Sequence, residues 1–162
     1  MALTQAQYTA LKADIIADPA FNSVPDNSDG DFAIAAAYNL AANPQWVVWK
    51  TSVQRGEILE NGFDWTRLDN LSVGKARVWS DIFVDGALNA SKLNVRAGIE
   101  EVWKGTQADL DVRAVVYGHC KRDATRAETL FSTGTGSDAV PATMSHQGNL
   151  SYQDVGIARR NT

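Results

Sequence analysis

The sequence predicts a mainly α protein: a bundle of six or seven short helices over residues 1–131, then an extended arm or β-ribbon over residues 132–162. Three observations lead there. Apolar residues recur at helical spacing through most of the first 131 positions. Capping residues, prolines and glycines divide that stretch into helix-sized pieces. The last part carries Gly134, Gly136, Pro141 and Gly148 and has no helical apolar period.

Taken in order, Thr4 and Gln7 form a capping box, Tyr8, Leu11 and Ile15 share one face, and Pro19 stops the first helix. In "NSDGDFAIAAAYNLAANP", Ser28 serves as cap, Asp31 suits the positive helix start, and a run of alanines precedes Pro44. From Pro44, Trp46, Trp49 and Val53 fall at i, i+3 and i+7, predicting a helix that ends near Asn61-Gly62 with a break at Thr51-Ser52. A helical turn spans 64–69. Val78, Trp79, Ile82 and Phe83 then make an apolar stripe that Gly86 ends, and Val95, Ile99, Val102 and Trp103 make another that Gly105 ends. A second capping box, Thr106 with Asp109, opens a helix that buries Leu110, Ala114 and Tyr117, and Asp123 caps a last short helix, "DATRAETLF". No strand pattern precedes residue 132. Beyond it, "PATMSHQ" and "NLSYQ" alternate weakly around a Gly-Asn turn, and Ser151 and Asp154 can cap a final turn reaching Arg159. Trp46, Trp49, Trp79 and Trp103 are expected in the core, with Trp65 in a short turn.

Composition narrows the classes. The chain has 162 residues, of which 44% are hydrophobic and 21% charged, the proportions of one globular body with an appendage. Cys120 is the single cysteine, so an internal disulfide is excluded. A net charge of −4 gives no global field for nucleic acid, and no apolar run is long enough to span a bilayer, so a soluble protein without membrane contact is expected. The N-terminus lacks the basic start and apolar stretch of a secretory signal.

Several motifs invite chemistry and fail on spacing. "STGTGSD" lacks the Gly-Lys-Ser/Thr of a phosphate loop and follows a helix rather than a strand, so it reads as a flexible joint. In "DNSDGD", placing Gly30 at the sixth position of a calcium loop puts Pro25 at the first and Ala36 at the twelfth. His119, Cys120 and His146 are too few and wrongly spaced for zinc. No catalytic residue, cofactor or metal is assigned. Lys121, Arg122 and Arg126 gather near a helix junction, and Arg159 and Arg160 lie near the C-terminus. They read either as solvated charges at helix ends or as a docking patch for an acidic partner or a DNA backbone.

In "DNSDGDFAIAAAYN", "WVVWKTSV" and above all "ATRAETLFSTGTGSDAVPATMSHQGNLSYQDV", the chain resembles a family of small proteins encoded among the structural genes of tailed bacteriophages and prophages. The resemblance covers nearly the whole length and supplies no catalytic residues. A helical bundle with a long arm looks like a head-to-tail adaptor. The analogy implies a non-enzymatic component of the virion neck, present in the host cytoplasm during assembly. Its partners would be the portal protein, tail or neck proteins, further copies of itself in a dodecameric ring, and packaged DNA by non-specific contact. The rival reading is a non-virion phage assembly or regulatory factor binding protein or nucleic acid. On the adaptor reading, the arm is mobile in the free protein and orders against a neighbour. Met144, His146, Leu150 and Tyr152 then engage the partner, together with Lys121, Arg122, Arg126, Arg159 and Arg160. Deleting everything after Phe131 should leave the bundle's melting temperature unchanged.

Overall fold

A computed structural model describes residues 2–160, and it is mainly helical, as the sequence predicts. In chain order its elements are α1 (Gln5–Ala17), α2 (Ser28–Tyr38), β1 (Val47–Trp49), β2 (Val53–Gln54), α3 (Arg55–Leu59), α4 (Trp65–Asp69) and α5 (Val73–Asp81). There follow β3 (Ala87–Leu88), α6 (Leu93–Val102), α7 (Gln107–His119), β4 (Lys121–Asp123), α8 (Arg126–Leu130), β5 (Ser132–Thr133), β6 (Thr143–Met144) and α9 (Tyr152–Arg160). No helix among the described residues is long and apolar enough to cross a membrane.

The chain forms two compact units, and their boundary is not at residue 131. The first unit joins residues 1–48 to residues 123–162, and the second is residues 49–122. The predicted split into a bundle over 1–131 and an arm over 132–162 is therefore corrected. Asn161 and Thr162, at the end of that arm, lie outside the described residues.

In the first unit α1 begins at the predicted capping box, with Thr4 Oγ1 accepting from Gln7 N–H and Gln7 Oε1 accepting from Thr4 N–H. Asn27, not Ser28, caps α2 by accepting from Gly30 N–H. Thr125, not Asp123, caps α8 in a third box with Glu128. The predicted final turn is a full helix: α9 starts where Ser151 Oγ accepts from Asp154 N–H and Asp154 Oδ2 accepts from Ser151 N–H. It packs against α1 and α2. Leu150, Val155 and Ala158 join Leu3, Leu11, Ile15, Ile34, Tyr38 and Phe131 in one apolar core. The sequence reading missed this because Val155 and Ala158 are the only apolar groups on the hidden side of α9, and they sit among polar residues. The narrow stripe suffices because Gly156 lets the helix come close: a Cβ there would lie 2.9 Å from Asp31 Oδ2. A second small cluster, Val48, Ala124 and Ala142, packs with Trp46 and Met144, and β5 pairs antiparallel with β6 beside it.

The second unit is built on aromatic side chains. Phe63, Trp79, Phe83 and Trp103 are buried, with Trp79 and Trp103 edge to face at 5.3 Å and Phe63 stacked on Trp79 at 5.9 Å. Ile58, Ile99, Val102, Val112 and Val116 complete the core, and β2 pairs antiparallel with β3. α6 presents the predicted face, but α7 does not: Val112, Val116 and Cys120 are buried, whereas Leu110 and Ala114 are exposed and Tyr117 is half-buried. Both sets have helical spacing. The choice is fixed by polar anchors: Asp109 at the start of α7 is buried and takes Arg67 Nη2 at 2.5 Å, and Tyr117 O–H donates to Glu100 at 2.9 Å.

Of the helical segment predicted from Pro44, only the part after the break at Thr51-Ser52 is helical, as α3, and the part before it is not. Val47, Val48 and Trp49 are all buried in the extended β1. A helix would bury one or two of three consecutive residues, so a run of buried β-branched and aromatic side chains selects a strand. Strands β1 to β4 accordingly all precede residue 132, where none was predicted.

Candidate functional site

The first unit carries a groove of about 430 Å³ along the segment after α2, with Ala37, Leu40, Pro44, Trp46, Arg126 and Thr129 among its lining residues. The segment is irregular and pinned by its backbone: Leu40 C=O accepts from Arg126 N–H at 3.0 Å, and Ala42 N–H donates to Ala124 C=O at 3.0 Å. The Asn43-Pro44 peptide bond is cis. Trp46 is half-buried rather than in the core, with its indole N–H donating to Ser132 Oγ at 3.0 Å. Its ring lies flat on Gly136, where a Cβ would fall 2.1 Å from the indole and φ is +63°. Only glycine meets both conditions. The glycine-rich stretch predicted to be a flexible joint is thus the support of this ring, further tied by Gly136 C=O accepting from Val47 N–H at 2.7 Å.

Arg126 forms the polar side of the groove. Its guanidinium lies 4.5 Å from the Tyr38 ring centroid and 5.2 Å from that of Phe21, and it pairs with Asp14 at 3.0 Å and Asp18 at 2.7 Å. Burial works against the Arg126 charge, but Asp14 and Asp18 outweigh it and hold its pKa above the ordinary value. The Ala20 N–H and then Arg126 hold the Asp18 carboxyl below the usual range. Burial, reinforced by Asp14, drives the Tyr38 phenol far up, so it stays protonated and donates to Asp14. Arg126 is therefore a neutralised strut, and the opening of the groove beside it is apolar: Leu40 is 67% exposed.

The other sequence-derived site residues are scattered or enclosed. Met144 is half-buried against the Val48 cluster. His146 is buried, edge-on to Phe131 at 5.5 Å, and Leu150 is in the core. Tyr152 stacks on Phe32 with centroids 4.1 Å apart. Arg159 and Arg160 converge on the buried Asp31, at 2.9 and 2.5 Å, and Arg160 also reaches Asp26 at 2.7 Å. Burial alone would raise the Asp31 pKa, but the bonds from Arg160 and Arg159 overcome it and keep the carboxyl below its ordinary value. Lys121 and Arg122, the last residues of the second unit, are half-buried. Arg126 alone of the nine lies on the groove. Leu40, Pro44 and Trp46 were missed as a set; the available signal was "NLAANPQW", an apolar, small-residue segment too interrupted by proline to continue α2.

Cys120 and His119 are each held by their surroundings in the second unit. Cys120 is fully buried and burial pushes its thiol up to about 12, which leaves no thiolate at neutral pH. His119 Nε2 lies 3.0 Å from Asn61 C=O, and Nδ1 lies 3.8 Å from Glu57. Among the described residues no group of three His, Cys, Asp or Glu side chains is placed to hold a metal ion. Comparison with known proteins gives no matching family model, no matching curated relative and no matching solved structure.

Proposed function

We propose that the chain is a non-enzymatic structural subunit, a head-to-tail adaptor in the neck of a tailed-phage virion, that bridges portal and tail components as a ring of identical copies. The sequence resemblance supplies the setting. The observation that carries the reading is the contrast between closed charge and open apolar surface. The cations singled out in the first unit, Arg126, Arg159 and Arg160, are matched by Asp14, Asp18, Asp26 and Asp31. Large apolar side chains, by contrast, stand in water: Leu40 at 67%, Trp65 at 57%, Val73 at 79% and Leu93 at 75% exposure. Such a surface suits protein contacts rather than phosphate contacts.

This reading differs in mechanism from an arm that orders on assembly. Leu150, Val155 and Ala158 complete the first unit's own core, so docking passes to folded surface, and the apolar groove beside Leu40 is part of that surface. Mass spectrometry of purified particles tests the proposal: a ring adaptor remains in the particle in the copy number of a portal-like ring. Particles without the protein, from cells that contain it, would replace this reading with the non-virion assembly factor.

A further inference from the structure

The solvent face of α2 runs into the groove beside Leu40 as one uncharged strip, all of it within the first unit. No residue from Phe32 to Trp46 is charged. Ile34, Ala35 and Tyr38 are buried, which leaves Asp29, Phe32, Ala33 and Ala36 exposed on the opposite side at helical spacing. Asn39 keeps right-handed helical dihedrals, so Leu40 follows on that side. Phe32 and Leu40 are 54% and 67% exposed, the alanines between them leave a shallow floor, and stacking on Tyr152 at 4.1 Å holds the Phe32 ring in place. Helix geometry sets Phe32 and Leu40 about 12 Å apart along the axis, and the groove of about 430 Å³ carries the strip past Pro44 to Trp46.

The charge around the strip decides what can cover it. Residues 1–48 and 123–162 carry nine Asp and Glu against four Lys and Arg, whereas residues 49–122 carry ten against eleven. Both ends of the strip share the first unit's acidic excess. Asp29 is exposed at the start of α2, and at the other end the single guanidinium of Arg126 lies between two carboxylates, Asp14 and Asp18. A nucleic acid would be repelled, and so would the same face of a second copy, because its acidic ends would meet these. A strip one helix wide is also short of the roughly 800 Å² that each partner buries in a stable pair of folded proteins. It suits a single docked helix whose apolar anchors recur every one or two turns. We infer that the strip from Phe32 to Trp46 receives a basic amphipathic helix of another protein. Apolar residues at i, i+4 and i+7 would lie on the strip, and Lys or Arg at both ends would face Asp29 and the Asp14–Asp18 pair. The inference deepens the adaptor reading and rests on it for the partner's setting, a portal or tail component; the chemistry of the helix follows from the strip alone.

Nuclear magnetic resonance titration of the full chain with a synthetic helical peptide tests this, the peptide being built of alanine with leucines at i, i+4 and i+7 and lysines near both ends. The Trp46 indole N–H and the amides from Phe32 to Leu40 should shift, with a dissociation constant of about 10–100 μM at low salt. Binding should weaken several-fold as salt rises from about 50 to about 200 mM. The same peptide with glutamates in place of lysines should bind at least about 10-fold more weakly. Leu40→Ser should weaken binding about 30-fold and Asp29→Asn about threefold, both folding as the wild type does because both side chains are exposed. No binding, equal binding of the glutamate peptide, shifts confined to other surfaces, or indifference to Leu40→Ser overturns the inference. Self-association in sedimentation velocity that Leu40→Ser abolishes would also overturn it, by giving the strip to a second copy. Particle composition reports on the adaptor reading separately: a chain absent from particles that still binds the lysine peptide keeps the docking face and loses the neck.

Discussion

Asn39 grips the backbone of Leu150 from both sides: its Nδ2 donates to Leu150 C=O at 2.9 Å, and its Oδ1 accepts from Leu150 N–H at 2.8 Å. One side chain at the C-terminal end of α2 thus satisfies both polar groups of a residue whose own side chain is in the core, 111 positions along the chain. Without it, two backbone groups at the edge of the core lose their partners. Asn39→Ala should therefore cost about 2 kcal/mol, seen as a fall of several degrees in melting temperature. Asn39→Asp should be little better, because a carboxylate placed against Leu150 C=O cannot donate.

Truncation after Phe131 gives the sharpest test of the corrected architecture. It removes Leu150, Val155 and Ala158 from the core around Leu11, Ile34 and Tyr38, and takes away Gly148 N–H, which donates to the buried Glu128 at 2.9 Å. The first unit should then lose its cooperative melt, with helical circular dichroism falling by more than the contribution of α9. An unchanged melting temperature, the outcome expected of a free arm, would refute the packed α9.

Asp31 holds α9 through Arg159 and Arg160. Asp31→Asn should cost about 3 kcal/mol at neutral pH, toward the low end for a buried ion pair because Arg160 is partly in water. The sign with pH follows from the lowered folded pKa. The carboxylate's stabilisation is fully present above the ordinary carboxyl value, and it is lost as pH falls through the lower folded value. Wild type and variant should therefore differ most near pH 7 and converge below about pH 4. A gap that widens with acid would contradict the pairing.

Gly156→Ala should destabilise, against the ordinary gain of about 1 kcal/mol for Gly→Ala inside a helix. The added methyl would sit 2.4 Å from Arg160 Nη2 and 2.9 Å from Asp31 Oδ2. The arginine end can swing away, but the short, buried aspartate cannot. Chemical denaturation of the variant and of Gly74→Ala, where a methyl meets open space in α5, should show opposite signs.

In the second unit, Trp79→Ala and Trp103→Ala should each cost about 3–5 kcal/mol, because both side chains are almost fully buried in one aromatic cluster. Trp65→Ala should stay within about 0.5 kcal/mol. Equal losses at all three positions, measured in urea, would mean that Trp65 is not the surface residue described above.

By itself the sequence determined the mainly helical class, the capping boxes at Thr4 and Thr106, the face of α6, and the Ser151-Asp154 start of the last helix. These are local quantities: a cap or an amphipathic period is decided by residues within a few positions of one another. Tertiary structure decided the rest. Val47–Trp49 fit a helical period as well as a strand, and their burial on every side chose the strand. Two faces of α7 had helical spacing, and Arg67 on Asp109 chose between them. Residues 132–160 looked too polar to fold because their partners are distant in sequence: Asn39 for Leu150, Asp31 for Arg159 and Arg160, Trp46 for Gly136. A polar residue or a glycine reads as surface or joint until the group that satisfies it, or the ring that rests on it, is brought alongside. That juxtaposition exists only in the folded chain, as does the groove beside Leu40.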